Sequence, residues 1–417
     1  MAATGLRRFG VRRTAWASIL SCLLAGNAAA QDMQWHGYLD LRAVAPDGRQ
    51  DWSDGALGKT RYGGHDDAGV DFGAAALGAD FQLTPQLLAS TQLQYVPQQR
   101  QPLDVIDAYL RYRPVSTTRW RWSLKAGAFF PPISLENDSI GWTSPWTLTP
   151  SAINSWVGEE LRTFGLEWQL EHRGDTATIT GFTALFGNND PAGELLAARG
   201  WALGDLTSGI DARLREPDVF AGQARAPVPV VFRPFDEVDG RIGGYAGLAI
   251  DAPAYGRLSV LRYDNRADPS RSVHYAGRNV FAWHTRFWSA GGQTQLGDVV
   301  LIGQAMIGST AFQPAPERLL DTRMSAGYVL AAWDRGAWRP ALRVDLFRLR
   351  QLPTSLPAPL SEHGNAFTAA LNWRPDDRVR ITGEWLRIDS HRDQRRLQHF
   401  APRQIETQLQ LSVRLLF

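Results

Sequence analysis

A membrane-spanning antiparallel β-barrel of about 16 strands is the fold this sequence predicts, with short turns at one end and longer loops at the other. Three observations predict it. Apolar and polar residues alternate with period two from about residue 35 to the C-terminus, aromatic residues stand at the ends of many alternating runs, and every second connection is turn-like.

The first segment is a targeting signal on its pattern. Arg7, Arg8, Arg12 and Arg13 precede an apolar run from Ala15 to Leu24, and Ala28-Ala29-Ala30 stands ahead of Gln31. A basic region, a short apolar stretch and a small-x-small site make a secretory signal peptide over residues 1–30. The apolar run is far short of the roughly 20 residues a spanning helix needs. A lipoprotein signal is the rival, since Ile19-Leu20-Ser21 precedes Cys22; it would leave a short apolar run and strand the Ala-x-Ala site downstream. Cleavage after Ala30 removes Cys22, the chain's one cysteine, and with it disulfides, thiolate metal sites and cysteine nucleophiles. The rest, residues 31–417, is read as a single barrel domain.

Composition narrows the class further. Lysine occurs only at Lys59 and Lys125, and losing the four signal arginines with no acid turns the formal charge from +2 to −2, which is not the balance of a nucleic-acid binder. The mean hydropathy of −0.26 resembles that of a soluble protein. Barrels give such values because only alternate residues of each strand face lipid.

The last strand is the clearest. From Ile405 the odd positions Ile405, Thr407, Leu409, Leu411, Val413, Leu415 and Phe417 oppose Glu406, Gln408, Gln410, Ser412 and Arg414. Period-two alternation puts these sets on opposite faces, and a terminal strand ending in Phe417 is similar to the signal by which outer-membrane barrels are assembled. Trp120, Trp122 and Leu124 alternate with Arg121, Ser123 and Lys125; Val379, Ile381 and Trp385 alternate with Arg380, Thr382 and Glu384. The expected strands are 35–44, 67–83, 87–97, 104–113, 118–130, 160–173, 175–187, 240–252, 256–265, 278–296, 299–308, 321–334, 337–349, 363–375, 378–390 and 403–417. Turns such as Gly174-Asp175, Gly297-Asp298 and Asp334-Arg335-Gly336 fall on the periplasmic side of this plan, the longer loops outside.

With apolar sets toward lipid, the polar sets line the lumen. That register gathers Arg42, Arg111, Arg113, Arg119, Arg121, Lys125, Arg162, Arg286, Arg339, Arg343 and Arg380 against Asp40, Asp107, Glu167, Glu171, Asp345 and Glu384. Fixed positive charge along a confined aqueous path concentrates anions. Pairing of these arginines with neighbouring carboxylates is the competing use. About 16 strands leave an open channel that something must narrow. The segment of about 131–159 is unusually apolar for a loop, opening on Pro131 and Pro132; folded inward it would set Glu136 and Asp138 opposite the arginines. The longest loop, about 188–239, is rich in Pro, Gly and charge, and is read as a cap, a latch or a surface loop.

Asp107-Ala108-Tyr109-Leu110-Arg111-Tyr112, the stretch from Lys125 through Phe129-Phe130-Pro131-Pro132-Ile133-Ser134-Leu135-Glu136, and the barrel plan together resemble the phosphate-selective type of bacterial outer-membrane porin. In motif the resemblance covers about residues 104 to 140. It implies a homotrimer, an inward third loop and an anion-binding pore. That family's phosphate preference is carried by lysines, of which this chain keeps two, leaving arginine to bind oxyanions.

The function expected is passive diffusion of small hydrophilic solutes, with anion preference. Lipid and lipopolysaccharide, the barrel-assembly machinery and small anions are the expected partners, in a bacterial outer membrane; no nucleic acid is expected. A closed barrel serving as anchor or adhesin is the alternative. A barrel enzyme is disfavoured: the eight histidines are scattered, none has H-x-x-x-H spacing, and none sits in a nucleophile motif, so no catalytic residue, metal or cofactor is expected.

Overall fold

In the last strand every second side chain is buried and the buried ones are polar: Gln404, Glu406, Gln408, Gln410, Ser412 and Arg414 point inward, while Leu409, Leu411 and Leu415 are exposed. This burial is inverted relative to a soluble sandwich, and it follows from a sheet closed around a polar interior with its apolar face outward. The computed structural model describes residues 33–47, 52, 55–62, 69–217, 231–275, 278–352 and 360–417. The expected signal peptide, residues 1–30, lies outside the described residues, as does 218–230 of the longest loop.

Sixteen strands close the barrel in chain order. They are β1 (Met33–Pro46), β2 (Gly69–Thr84), β3 (Leu87–Tyr95), β4 (Leu103–Tyr112), β5 (Trp120–Phe129), β6 (Thr163–Arg173), β7 (Thr178–Gly187), β8 (Gly243–Ala252), β9 (Gly256–Asp264), β10 (His284–Leu296), β11 (Val299–Ala315), β12 (Arg318–Trp333), β13 (Trp338–Leu352), β14 (Glu362–Trp373), β15 (Val379–Arg392) and β16 (Arg403–Leu416). Every neighbouring pair is antiparallel, and β16 closes on β1 with Tyr38 opposite Leu416 and Arg42 opposite Ser412. Full closure leaves no unpaired strand edge in lipid. No described helix is long and apolar enough to cross a membrane.

One end of the barrel carries tight turns, such as Pro85-Gln86 and Gly297-Asp298. Gly297 and Gly336 have φ of 62° and 71°, a left-handed conformation that glycine adopts without a Cβ penalty. The other end carries the long connections, here called the loop end. Two strand expectations need correction. The run 278–296 divides into a small hairpin, Ser272–Tyr275 with Arg278–Phe281, followed by β10. The runs 299–308 and 321–334 extend until only Pro316-Glu317 joins β11 to β12, so no long loop stands there.

Among the described residues two α-helices lie off the wall. α1 (Ala152–Glu160) and α2 (Glu194–Arg199) belong to the connections 130–162 and 188–242, and every residue of both is buried. α1 packs against β12 and β13, so these connections enter the barrel.

Candidate functional site

The interior is built from two kinds of wall. On β1 and β13–β16 the inward positions are mostly polar or charged, and those of β13–β16 hold the segment 130–162 through its backbone. Arg343 is fully buried; its Nε donates to Asp345 at 2.8 Å, and its Nη atoms donate to Thr149 O at 2.6 Å and Pro150 O at 3.0 Å, with Glu136 at 3.4 Å. Glu136 accepts from Ser151 N at 2.7 Å and Asn154 Nδ2 at 2.8 Å. Glu384 accepts from Leu148 N at 2.6 Å and Thr149 N at 3.1 Å, and Asp345 accepts from Ala152 N at 3.1 Å. Carboxylates thus meet the N-terminal amides of α1, where Ser151 is the cap, as orphan donors and the helix dipole favour.

Two further networks tie other segments to the same wall. Arg42 bonds Asp40 at 2.5 Å and pairs with Asp205 of the long connection, which Arg61 also reaches at 2.7 Å; these two guanidiniums hold the Asp205 carboxyl below the usual carboxylate range against its burial. Toward the loop end Glu362 joins Lys59 at 2.6 Å and Arg392 at 3.1 Å, while Lys59 Nζ donates to Arg199 O at 3.2 Å. Burial pulls the Lys59 ammonium down, opposed by Glu362.

The inward face of β7–β12 is largely apolar, with Thr285, Ser289, Gln304, Thr310 and Thr322 set among the apolar side chains. Phe182, Tyr245, Tyr263, Phe287, Met306 and Tyr328 form one buried cluster with Trp156, Val157, Leu196 and Trp201 of the inserted segments. Trp156 meets Phe287 edge-on at 5.5 Å and Trp201 at 5.9 Å, and its Nε1 donates to Glu160 at 2.5 Å. Glu160 also accepts from Leu195 N at 2.8 Å and Leu196 N at 3.1 Å, which couples the end of α1 to the start of α2. Burial pushes its carboxyl up to about 7.

This second wall corrects the expectation that polar sets face the lumen throughout. On β10, Thr285 and Phe287 are the inward, buried residues, and Arg286 is exposed on the outer face. The rule fails there because what fills this side of the lumen is apolar protein, and the wall matches it.

The remaining basic residues occupy β4–β6 near the turn end and stay partly exposed. Arg111 stands opposite Lys125, which pairs with Glu167 at 3.1 Å and lies 4.0 Å over the Phe129 ring. Arg121 reaches Glu171 at 3.9 Å. Arg113 is exposed just beyond β4, and Arg119 sits on the rim, 61% exposed, with Asp175 at 2.9 Å. Pro131 is buried and Pro132 half-buried at the entry of the inward segment. Arg380 donates to Ser144 O at 3.3 Å and, with Arg414, Arg374 and the exposed Asp138, lines a cavity of about 500 Å³ at the turn end. Phe417 continues the seam: its N donates to Gly37 O at 3.1 Å, and Gly37 N returns a bond to Phe417 O at 2.9 Å.

Several interior residues had no signal in the strand pattern. Lys59, Asp205, Trp156, Trp201 and Arg199 lie in connections, where no period of two exists to reveal a face. The spacing of Ile153, Trp156, Val157 and Glu160 is the helical signal that would have exposed α1.

No family model matches the chain, and no curated protein is similar to it in sequence. Solved structures are similar over nearly its whole length. The outer-membrane channel DcaP of Acinetobacter baumannii superposes with a TM-score of 0.56 at 10% identity, covering 93% of this chain and 97% of that one. OmpT, an outer membrane protein of Vibrio cholerae, in trimer form gives 0.53 at 8%, covering 93% and 100%. The anion-selective porin of Comamonas acidovorans gives 0.51 at 12%, covering 93% and 99%. At these identities the likeness is one of fold: the chain carries a closed 16-strand barrel and shares its overall fold with these outer-membrane proteins.

Proposed function

We propose that this chain is an outer-membrane diffusion channel of the porin kind, exported by its residue 1–30 signal and passing small hydrophilic solutes with a preference for anions. The observation that carries the reading is the closed barrel with an apolar exterior and a charged interior narrowed by its own connections. The fold shared with outer-membrane channels supports it. Arg111, Arg113, Arg121 and Lys125 on the half-exposed wall, together with Arg380 at the turn-end cavity, supply the anion preference; Arg42 and Arg343 act by holding the inward segments through Asp205 and Glu136. Pro131, Pro132, Glu136 and Asp138 belong to the constriction. A homotrimer is proposed on the shared fold with a protein solved in trimer form.

Planar-bilayer recording tests both parts. Under a salt gradient the parent should show an anion-selective reversal potential, and Arg111→Gln with Arg121→Gln should move it toward cations. The shift should shrink at 1 M salt, where screening cuts the reach of charge to roughly 3 Å. An unchanged potential in the folded double variant at low salt would remove this wall from the permeation path. A second reading, a closed barrel acting as anchor or adhesin, is favoured by α1 and α2 lying inside the barrel; conductance no greater than bare lipid would select it.

Phe417 is proposed as the assembly signal. Its deletion removes both backbone bonds to Gly37 at the closing seam and should lower the heat-modifiable, folded fraction in the outer membrane. Undiminished folding would make the terminal aromatic incidental.

A further inference from the structure

The outer face of β12–β16 changes character near the loop end. Below, it is continuous hydrocarbon, with Leu342, Val344, Leu346, Leu371, Trp385 and Leu411 exposed. Above, the outward positions become Arg323, Arg348, Arg350, His363, Arg387 and Arg403. The register sets two permanent cations together, Arg323 directly opposite Arg350, while Arg348 stands opposite His363 and His363 opposite His391, their rings stacked at 5.1 Å. Like charges directly across a ladder repel. The carboxylates at this face are Asp321, Asp389 and Asp393; Asp389 is taken by Arg403 at 2.6 Å, and Asp393 lies 3.2 Å from His391. Among the described residues Arg323, Arg348, Arg350 and Arg387 have no carboxylate within ion-pair distance.

A second feature adjoins the patch. Ala305, Ser325 and Gly327 are small outward residues on adjacent strands, and they floor a groove of about 670 Å³ that reaches Arg348 and His363 at its upper end, with Val329, Val344 and Leu346 along it. A cationic head over an apolar trough, at the upper edge of the hydrocarbon belt, matches a molecule with phosphate at one end and acyl chains at the other. A soluble oxyanion would leave the trough empty, and a bare acyl chain would leave the arginines uncompensated.

We propose that this face binds a phosphorylated, acylated lipid of the loop-end leaflet, its phosphate between Arg323, Arg348 and Arg350 and an acyl chain along the groove over Gly327 and Ser325. Bidentate guanidinium–phosphate bonds relieve the cross-strand repulsion that the register imposes. The inference rests on the barrel spanning a membrane but not on the lumen conducting, so lipid binding and conductance fail separately.

The test titrates the folded full chain in neutral detergent with bis-phosphorylated lipid A and with the same lipid dephosphorylated. Binding of lipid A should be specific, and Arg348→Gln with Arg350→Gln should weaken it by about tenfold or more. Arg119→Gln, on the opposite rim, should leave it unchanged, and each variant is checked for heat-modifiable migration. Ser325→Phe, which blocks the groove while keeping every charge, should weaken lipid A and leave any weak binding of inorganic phosphate intact. Equal binding of phosphorylated and dephosphorylated lipid, or by parent and double variant, would overturn the proposal; so would full competition by inorganic phosphate, which would reduce the site to a headgroup patch.

Discussion

Replacing Arg343 by alanine is expected to free the segment 130–162 from the wall. Arg343 is fully buried, bonds two carbonyls of that segment and lies between Glu136 and Asp345. Removing one partner of a buried charged network leaves the others uncompensated, at a cost of about 3–5 kcal/mol. The strand ladder does not depend on these bonds, so the loss falls on the insert. Amide hydrogen exchange should speed up at Leu148, Thr149 and Ala152, while the amides of β13 and β14 stay protected. Single-channel conductance should rise with it. Arg343→Ala combined with Glu136→Gln and Asp345→Asn should recover part of the protection, because the stranded charges are then gone. Unchanged exchange at 148–152 in the single variant would show that Glu384 and the aromatic packing hold the segment without Arg343.

Trp156→Ala acts on the other wall. Trp156 is 2% exposed, wedged between Phe287 of β10 and Trp201 of the long connection. Truncating a buried tryptophan typically costs about 3–5 kcal/mol, through lost burial and the cavity left behind. The indole also supplies the Nε1 donor to Glu160, whose carboxylate holds the first amides of α2. Loosening should therefore spread from α1 to α2. The near-UV circular-dichroism signal should weaken and the thermal midpoint of its loss should fall, while far-UV strand signal persists. Trp288→Ala, on the outer face of the same strand as Phe287, should leave that midpoint nearly in place. If both substitutions lower it equally, the interior cluster contributes no more than the exterior belt.

How the two walls are divided bears on what could be read in advance. Each strand face is written locally: a period of two in Ile405 to Phe417 or Trp120 to Lys125 needs no knowledge of any partner, because the pleat alone sends neighbours to opposite sides. Strand number, direction and chain-order closure follow from the same pattern and from turns such as Gly297-Asp298, whose backbone demands are also local. On β1, β5 and β13–β16 the polar-inward register was legible for this reason. What meets a face was not. Phe287 and Arg286 alternate as faithfully as any pair, but which of them turns inward depends on whether water or Trp156 stands opposite, and Trp156 arrives from a connection more than a hundred residues earlier in the chain. The same holds for Lys59 and Glu362, or Arg42 and Asp205, whose pairing is set by where long connections enter the barrel. By itself the sequence determined the barrel, its strands and the charge on its walls, because these rest on backbone geometry and side-chain alternation between adjacent residues. Only the tertiary structure decided which connections enter the lumen, which arginines are consumed in holding them and which remain facing solvent or lipid, because contacts across the barrel join residues that no local period relates.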